Sequence, residues 1–408
     1  MSGSGPTGGA GPVDLTVALE SVGAADRRTV GTKAANLGEL AAAGYLVPAG
    51  FVVTVDAFGR WQRSGQGAVP DDVALAVRQA YDSLAERAGA VDLSVAVRSS
   101  ATDEDLPSAS FAGVYDSYLD VVGGEAVVAR VLDCWSSLNT ARAAAYRSDR
   151  SGPGGPEMAV LVQAMAPANR AGVALSDDPL DEGSDRIVIE VVHGRGAAVV
   201  GGSVVPDRYV VDSASTLMSV EPADPTAGRV LSDREALDVA GVVRSIAELR
   251  GGAHDVELAL GSDRRIWILQ ARPLTGAHAA PSELEPNPAR EPGEFAPAGE
   301  IVLTGVGASS GVAVGRVRVL HHSSEAVDLL DGEVLVAERT DPGWIVAMRL
   351  AAAIVTDAGG VTSHAAIVSR ELGLPCVVGA GAATVELVDG DVVIVDGGAG
   401  TVARVVTG

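Results

Sequence analysis

Cysteine is nearly absent: Cys134 and Cys376 are the only two in 408 residues, far apart and in no CxxC or Cys/His cluster. That argues against a disulfide framework and against a zinc site. Basic charge is also short, 30 Lys and Arg against 53 Asp and Glu, for a formal net charge of −23. Nucleic acid and anionic membranes both demand a basic footprint, so neither is expected as a partner. No apolar run approaches spanning length, and the opening MSGSGPTGGAGPVD has no basic n-region and no apolar h-region. A soluble, cytoplasmic protein is expected, with a disordered tail over residues 1–12. Aromatics make up only 3% of the chain, so its cores must be built from Val, Ala, Leu and Ile. With 47% hydrophobic residues there is still enough apolar surface for two or three domains. The phosphate loop GxxxxGK[ST] is missing, and no GxGxxG joins an expected strand to an expected helix. So, almost, is lysine: Lys33 is the only one, and every other basic residue is arginine. Under such a bias a surviving lysine suggests a place where a flexible point charge is needed, such as a phosphate.

What is present divides the chain. The segment 276–300 holds five prolines (281, 286, 288, 292 and 297), several glutamates and almost no apolar residue. Such a stretch cannot bury itself and reads as an extended linker, able to span up to roughly 75 Å in polyproline form. Residues 301–408 alternate short β-rich runs (GVAVGRVRVL, GEVLVAE, AAAIVTD, PCVVG) with helical stretches such as SSEAVDLL, and close on a hairpin with Gly397 and Gly398 in its turn. Residues 13–275 are also mixed α/β. Helices are expected over 34–43, 71–88, 125–146 and 233–249, and strands over 50–54, 94–98, 159–163, 186–192, 207–211, 256–260 and 265–270. The alternation in RIWILQAR points Gln270 and Arg272 to one face of a strand.

The most informative stretch is TDAGGVTSHAAIVSRELGLP, residues 356–375. A short apolar strand ends at Asp357, and Gly359 and Gly360 turn the chain. Thr362 or Ser363 caps a helix HAAIVSREL, which Gly373 and Pro375 stop. His364 then lies in the first helical turn, beside backbone N–H groups and the positive end of the dipole. There a phosphate is welcome and an imidazolium is not, so the ring is neutral and nucleophilic. By itself the histidine also fits a surface or capping role. The whole string, however, resembles the phospho-histidine segment of the phosphoenolpyruvate-utilising, dikinase-type family. It matches at Gly359, Gly360, Thr362, Ser363, His364, Ala365, Ala366, Ile367, Val368 and Arg370.

Three earlier segments extend the likeness. VGTKAANLGELAAAGYLVPAGFVVT is similar to the opening of the family's ATP-grasp domain and puts Lys33 on its phosphate-binding lysine. VAVRSSATDEDLPSASFAGVYDSYLDV places Arg98 at a phosphate-contacting arginine, and Ser110 and Gly113 on the loop that closes over the triphosphate. HDVELALGSDRRIWILQARPLT places Glu257 and Gln270 at metal-associated positions and Arg272 at a nucleotide phosphate contact. The chain departs from the family at Gly194-Arg195-Gly196-Ala197, where Gly-Leu-Gly-Glu is usual. It also departs at residues 171–179 and at His254-Asp255-Val256-Glu257-Leu258. Arg195 reads as a surface salt-bridge residue or as a contact to an unusual acceptor.

The resemblance implies an ATP-grasp nucleotide-binding domain (13–275) joined by the flexible linker to a small swivelling α/β phospho-histidine domain (301–408). ATP and Mg²⁺ would be its cofactors. A phosphoryl group would pass from ATP through His364 to a small-molecule hydroxyl acceptor, with release of AMP and phosphate. Two alternatives stand beside this. One is the ATP/His subunit of a split enzyme whose acceptor domain is a separate polypeptide; the other is a catalytically silent, nucleotide-responsive module.

Overall fold

Short β-branched runs and three strongly amphipathic helices set the architecture. A computed structural model describes residues 14–102, 116–138, 157–181, 183–274 and 299–405. Among these residues the chain forms three sheets. Ser110, Gly113 and residues 276–298 of the expected linker lie outside the described residues.

The first sheet is five-stranded and antiparallel, in the order 16–18, 50–53, 158–164, 94–101 and 117–122. Helix Asp71–Ala88 covers one face with Val73, Val77, Tyr81 and Leu84, which recur at helical spacing, and ends at Gly89 in the left-handed region. Helix Arg27–Ala42 lies close against this sheet, its start interrupted by Gly31 at φ +75°. A Cβ at Gly31 would stand 1.9 Å from the Ser100 carbonyl oxygen, so only glycine permits the approach. Ser100 Oγ completes the seam by donating to Val30 O and accepting from Ala34 N.

The second sheet is six-stranded, in the order 266–273, 254–260, 170–175, 187–193, 207–211 and 217–221, antiparallel throughout. One face is apolar. Ala174, Ile187, Ile189, Val191, Tyr209, Val256 and Leu258 meet Ala236, Val239, Val243 and Ile246 of helix Asp233–Arg250. That helix starts with a capping box between Ser232 and Glu235, and Glu235 also receives Arg170 Nη1 at 2.9 Å. Burial pushes the Glu235 carboxyl up, but the Ser232 hydrogen bonds and Arg170 outweigh it and bring it down to about 2.

The third sheet belongs to the C-terminal region and has eight strands. The inner run 312–319, 334–337, 353–356, 376–378 is parallel; the flanking pairs are antiparallel. Its first strand, Gly299–Thr304, pairs Gly299 and Glu300 with Val405 and Arg404. These two residues therefore belong to a ladder rather than to the expected linker, because Thr401–Val405 supplies backbone partners. The parallel run requires crossovers, and helix His364–Leu372 is one of them. Its N-terminus accordingly opens at the carboxyl ends of the parallel strands, where such sheets form crevices.

Several expected elements appear within a few residues of their sequence-based limits, including 71–88, 207–211, 254–260 and 364–372. The strand Arg170–Leu175 and the helix Val55–Arg63 were not foreseen. The former is buried on both faces, and in the sequence residues 171–179 stand out only as a departure from the family pattern. The expected helix 125–146 is present as Gly124–Ser137, and residues 139–146 lie outside the described part. Cys134 and Cys376 are buried and are not in a disulfide; burial raises Cys376 to about 11.

Candidate functional site

Antiparallel register places directly opposed residues on the same sheet face. In the six-stranded sheet Gln270 lies opposite Glu257, Glu257 opposite Val173, Val173 opposite Glu190, Glu190 opposite Arg208, and Arg208 opposite Glu221. One such row therefore crosses the whole sheet. Two residues along, Arg272, Asp255, Leu175, Val188 and Val210 form a second row on the same face. The face is polar at both ends and apolar in the middle, opposite the face packed by helix Asp233–Arg250.

At one end Arg98 reaches across from the neighbouring sheet. Its Nη2 donates to Glu257 Oε2 and to Gln270 Oε1, each at 2.9 Å, and its Nη1 donates to Leu269 O at 2.7 Å. Next to it, Arg272 donates from Nε and Nη2 to Asp255 Oδ2 at 3.0 and 2.8 Å, with both side chains 6% exposed. Lys33 is buried and donates from Nζ to Ser99 O at 2.9 Å, one residue beyond Arg98 on the same strand. Burial pushes the Glu257 carboxyl up, but the charges of Arg98, Arg272 and Lys33 prevail and hold it below the usual carboxylate range. Of the seven residues expected in the nucleotide half, Lys33, Arg98 and Arg272 thus act on Glu257, with Gln270 directly opposite it; Ser110 and Gly113 lie outside the described residues. Asn36, on the Lys33 helix, ties that helix to this edge by donating to Ala271 O at 3.2 Å.

Two oxygen ligands, Glu257 and Gln270 Oε1, sit side by side. No group of three or more His, Cys, Asp or Glu suited to a metal occurs among the described residues. The pair still fits Mg²⁺, which commonly takes one or two protein oxygens and fills its shell with phosphate and water.

His364 is the first residue of its helix, 5% exposed, after the N-cap Ser363, whose Oγ accepts from Ala366 N. Its Nδ1 shares a hydrogen bond with Thr340 Oγ1 at 3.0 Å; Thr340 lies beyond the carboxyl end of the adjacent parallel strand, Val334–Ala337. Behind the loop Arg370 donates from Nη1 to Val361 O at 2.8 Å and to Ala308 O at 2.9 Å.

This loop rests on the six-stranded sheet. Val361 packs with Val173, Leu175, Val188 and Val199 in the apolar middle of the polar-ended face. Beside it Glu190, 1% exposed, accepts from Val361 N at 2.7 Å, Thr362 N at 3.0 Å and Thr362 Oγ1 at 2.6 Å. These donors precede the N-cap Ser363, so the first-turn N–H groups of the helix are not the ones used by this carboxylate, which sequence reasoning did not single out. The signal was faint: a lone acid in the apolar run IVIEVV, where a strand would have no reason to bury one. Arg195, by contrast, pairs with Asp120 on the surface, the two side chains 60% and 42% exposed.

Residues 62–224 match the model described as the pyruvate phosphate dikinase AMP/ATP-binding domain, and residues 329–400 match the mobile domain of PEP-utilising enzymes. The probable phosphoenolpyruvate synthase of Methanothermobacter thermautotrophicus is 38% identical, over 94% of this chain and 62% of that protein. The phosphoenolpyruvate synthase of Pyrococcus furiosus is 38% identical over 82% of this chain and 44% of its own length. That of Aeropyrum pernix is 36% identical, with coverages of 91% and 56%. The chain thus spans about half the length of these relatives. No helix among the described residues is long and apolar enough to cross a membrane.

Proposed function

The chain belongs to the phosphoenolpyruvate-utilising dikinase family, and on that premise we propose that it transfers a phosphoryl group from ATP to His364 and from there to an acceptor. One observation carries the reading. The His364 loop packs through Val361 on the sheet face whose two rows carry Gln270 and Glu257, and Arg272 and Asp255, and Arg98 reaches that face from the neighbouring sheet.

Phosphoryl transfer is mostly positioning and charge stabilisation. Lys33, Arg98 and Arg272 supply cations for the phosphates, and Glu257 and Gln270 would hold Mg²⁺. When bound, the metal neutralises charge on the phosphate oxygens. Thr340 engages Nδ1 and so fixes the ring, which assigns the new N–P bond to Nε2. Attack at the β-phosphorus of ATP breaks its bond to the oxygen of the leaving AMP. Water then releases the terminal phosphate and leaves phospho-His364. Domain boundaries near 275 and 299, with the proline-rich segment as the tether, would let the C-terminal region carry this group away. Ser110 and Gly113 are proposed to close over the triphosphate. The acceptor is proposed to be a small molecule presenting an oxygen. The synthases that this chain resembles make phosphoenolpyruvate the first product to seek. A separate acceptor subunit is the alternative.

The test is incubation with ATP labelled at the β-phosphate. Acid-labile, base-stable label on the protein, with about one AMP per chain and no acceptor added, is the expected result. ADP as sole product points to an ordinary kinase. ATP bound without any product supports the silent, nucleotide-responsive reading.

A further inference from the structure

Glu190 has no place in that scheme, yet it is among the most buried acids of the chain. Burying a carboxylate costs several kcal/mol unless its oxygens are satisfied. Here the satisfaction is supplied from a distant part of the sequence. Among the described residues all three of its donors belong to Val361 and Thr362, 171 and 172 residues later. Arg208 lies directly opposite Glu190 in the register but pairs with Glu221 at 3.6 Å. The approach is also close on the loop side. A Cβ at Gly360 would meet Glu190 Oε1 at 2.3 Å and its Cδ at 2.5 Å. Gly360 is not in the left-handed region, so the second glycine of the GG pair is required by contact with Glu190 rather than by turn geometry.

We propose that Glu190 is a positioning residue, a carboxylate latch that seats the His364 loop on the nucleotide sheet for phosphoryl transfer. It rests on the function proposed above. Its place in the row fixes the geometry. Two strand spacings, roughly 10 Å of backbone, separate Glu190 from Glu257. Val173 lies between them and Val361 packs over it. Glu190 therefore grips the loop on the side away from the cation cluster. The latch has the chemistry of a reversible contact. Charge-assisted hydrogen bonds to backbone N–H groups are strong when dry, and water replaces them on both partners once the loop leaves.

The test uses the full chain and Glu190→Gln, which keeps the size but replaces one acceptor oxygen with a donor facing donors. Hydrogen bonds to charged groups of this kind predict a fall of about 10- to 100-fold in the single-turnover rate of His364 labelling. ATP affinity should stay within about twofold, since no cation of the cluster is touched. Hydrogen exchange over residues 359–364 should accelerate. Glu190→Asp, which keeps the charge, should recover part of the rate. Thr362→Val breaks one arm from the loop side; it should slow the wild type and add little to Glu190→Gln. An unchanged labelling rate, unchanged exchange, or loss of ATP affinity in parallel with rate overturns the latch. Absence of label on the wild type sinks the function proposed above instead, so the two failures are distinguishable.

Discussion

In the cation cluster the bonds from Arg98 to Glu257 and Gln270 and from Arg272 to Asp255 are all made within two adjacent sheets of one region. Around His364 the Thr340 and Arg370 bonds come from the C-terminal region itself, whereas the Val361 and Thr362 donors are completed by Glu190 of the other region. Contacts made inside one region hold whatever its neighbour does. A network closed by a partner is finished only when the two regions meet. Under the proposed function, the difference fits a fixed nucleotide site and a carrier that visits it.

Replacing His364 with Ala should push the contrast to its limit. Labelling from β-labelled ATP should vanish, a loss of at least about a thousandfold, because no other group replaces the nucleophile. ATP affinity should be retained. Equal labelling of the variant would remove the carrier from the scheme.

Gly360→Ala drives a methyl group into Glu190 and should cost about 100-fold in labelling rate by blocking the seated loop, with nucleotide affinity again within about twofold. If ATP binding fell equally, the two networks would not be separable.

Arg98→Met strikes the cluster held within one region. It leaves Glu257 buried without its main cation, so stability should fall by about 3 kcal/mol in denaturant unfolding. ATP affinity should fall about tenfold. Exchange over residues 359–364 should not change.

Acid tests the same side of the molecule more gently. Glu235 and Glu257 both titrate below their ordinary value in the folded protein, Glu235 at about 2. Their stabilisation is therefore complete above about pH 4.5, the unfolded value for a glutamate, and drains away as pH falls toward 2. The denaturation midpoint should drop across that window, and Glu235→Gln should flatten the slope. The smallest effect is expected at Arg195, whose exposed pairing with Asp120 is worth no more than about 1 kcal/mol. Arg195→Ala should leave labelling and stability nearly unchanged; a marked loss would give Arg195 a part in the acceptor step.

The sequence alone carried the local structure around His364. Gly373 and Pro375 stop the helix, Ser363 caps it, and a strand precedes it, because short-range backbone chemistry decides such features. It also set Gln270 and Arg272 on one face, since strand alternation is a property of the chain itself. Composition made the core aliphatic, and the rarity of lysine drew attention to Lys33 before any fold was known.

Tertiary structure alone decided the rest. The central strand Arg170–Leu175 is buried on both sides, so it shows no alternation to read. Residues 98, 257 and 270 meet only through sheet register and helix packing, which no local pattern encodes. Glu190 looked like one misplaced acid in an apolar strand, because its partners lie some 170 residues away. Gly360 read as half of a turn, yet its small size answers to that same carboxylate. Hydrogen bonds between neighbours in sequence leave a signature in the sequence. Those that join residues from distant parts of the chain leave it only in the space between them.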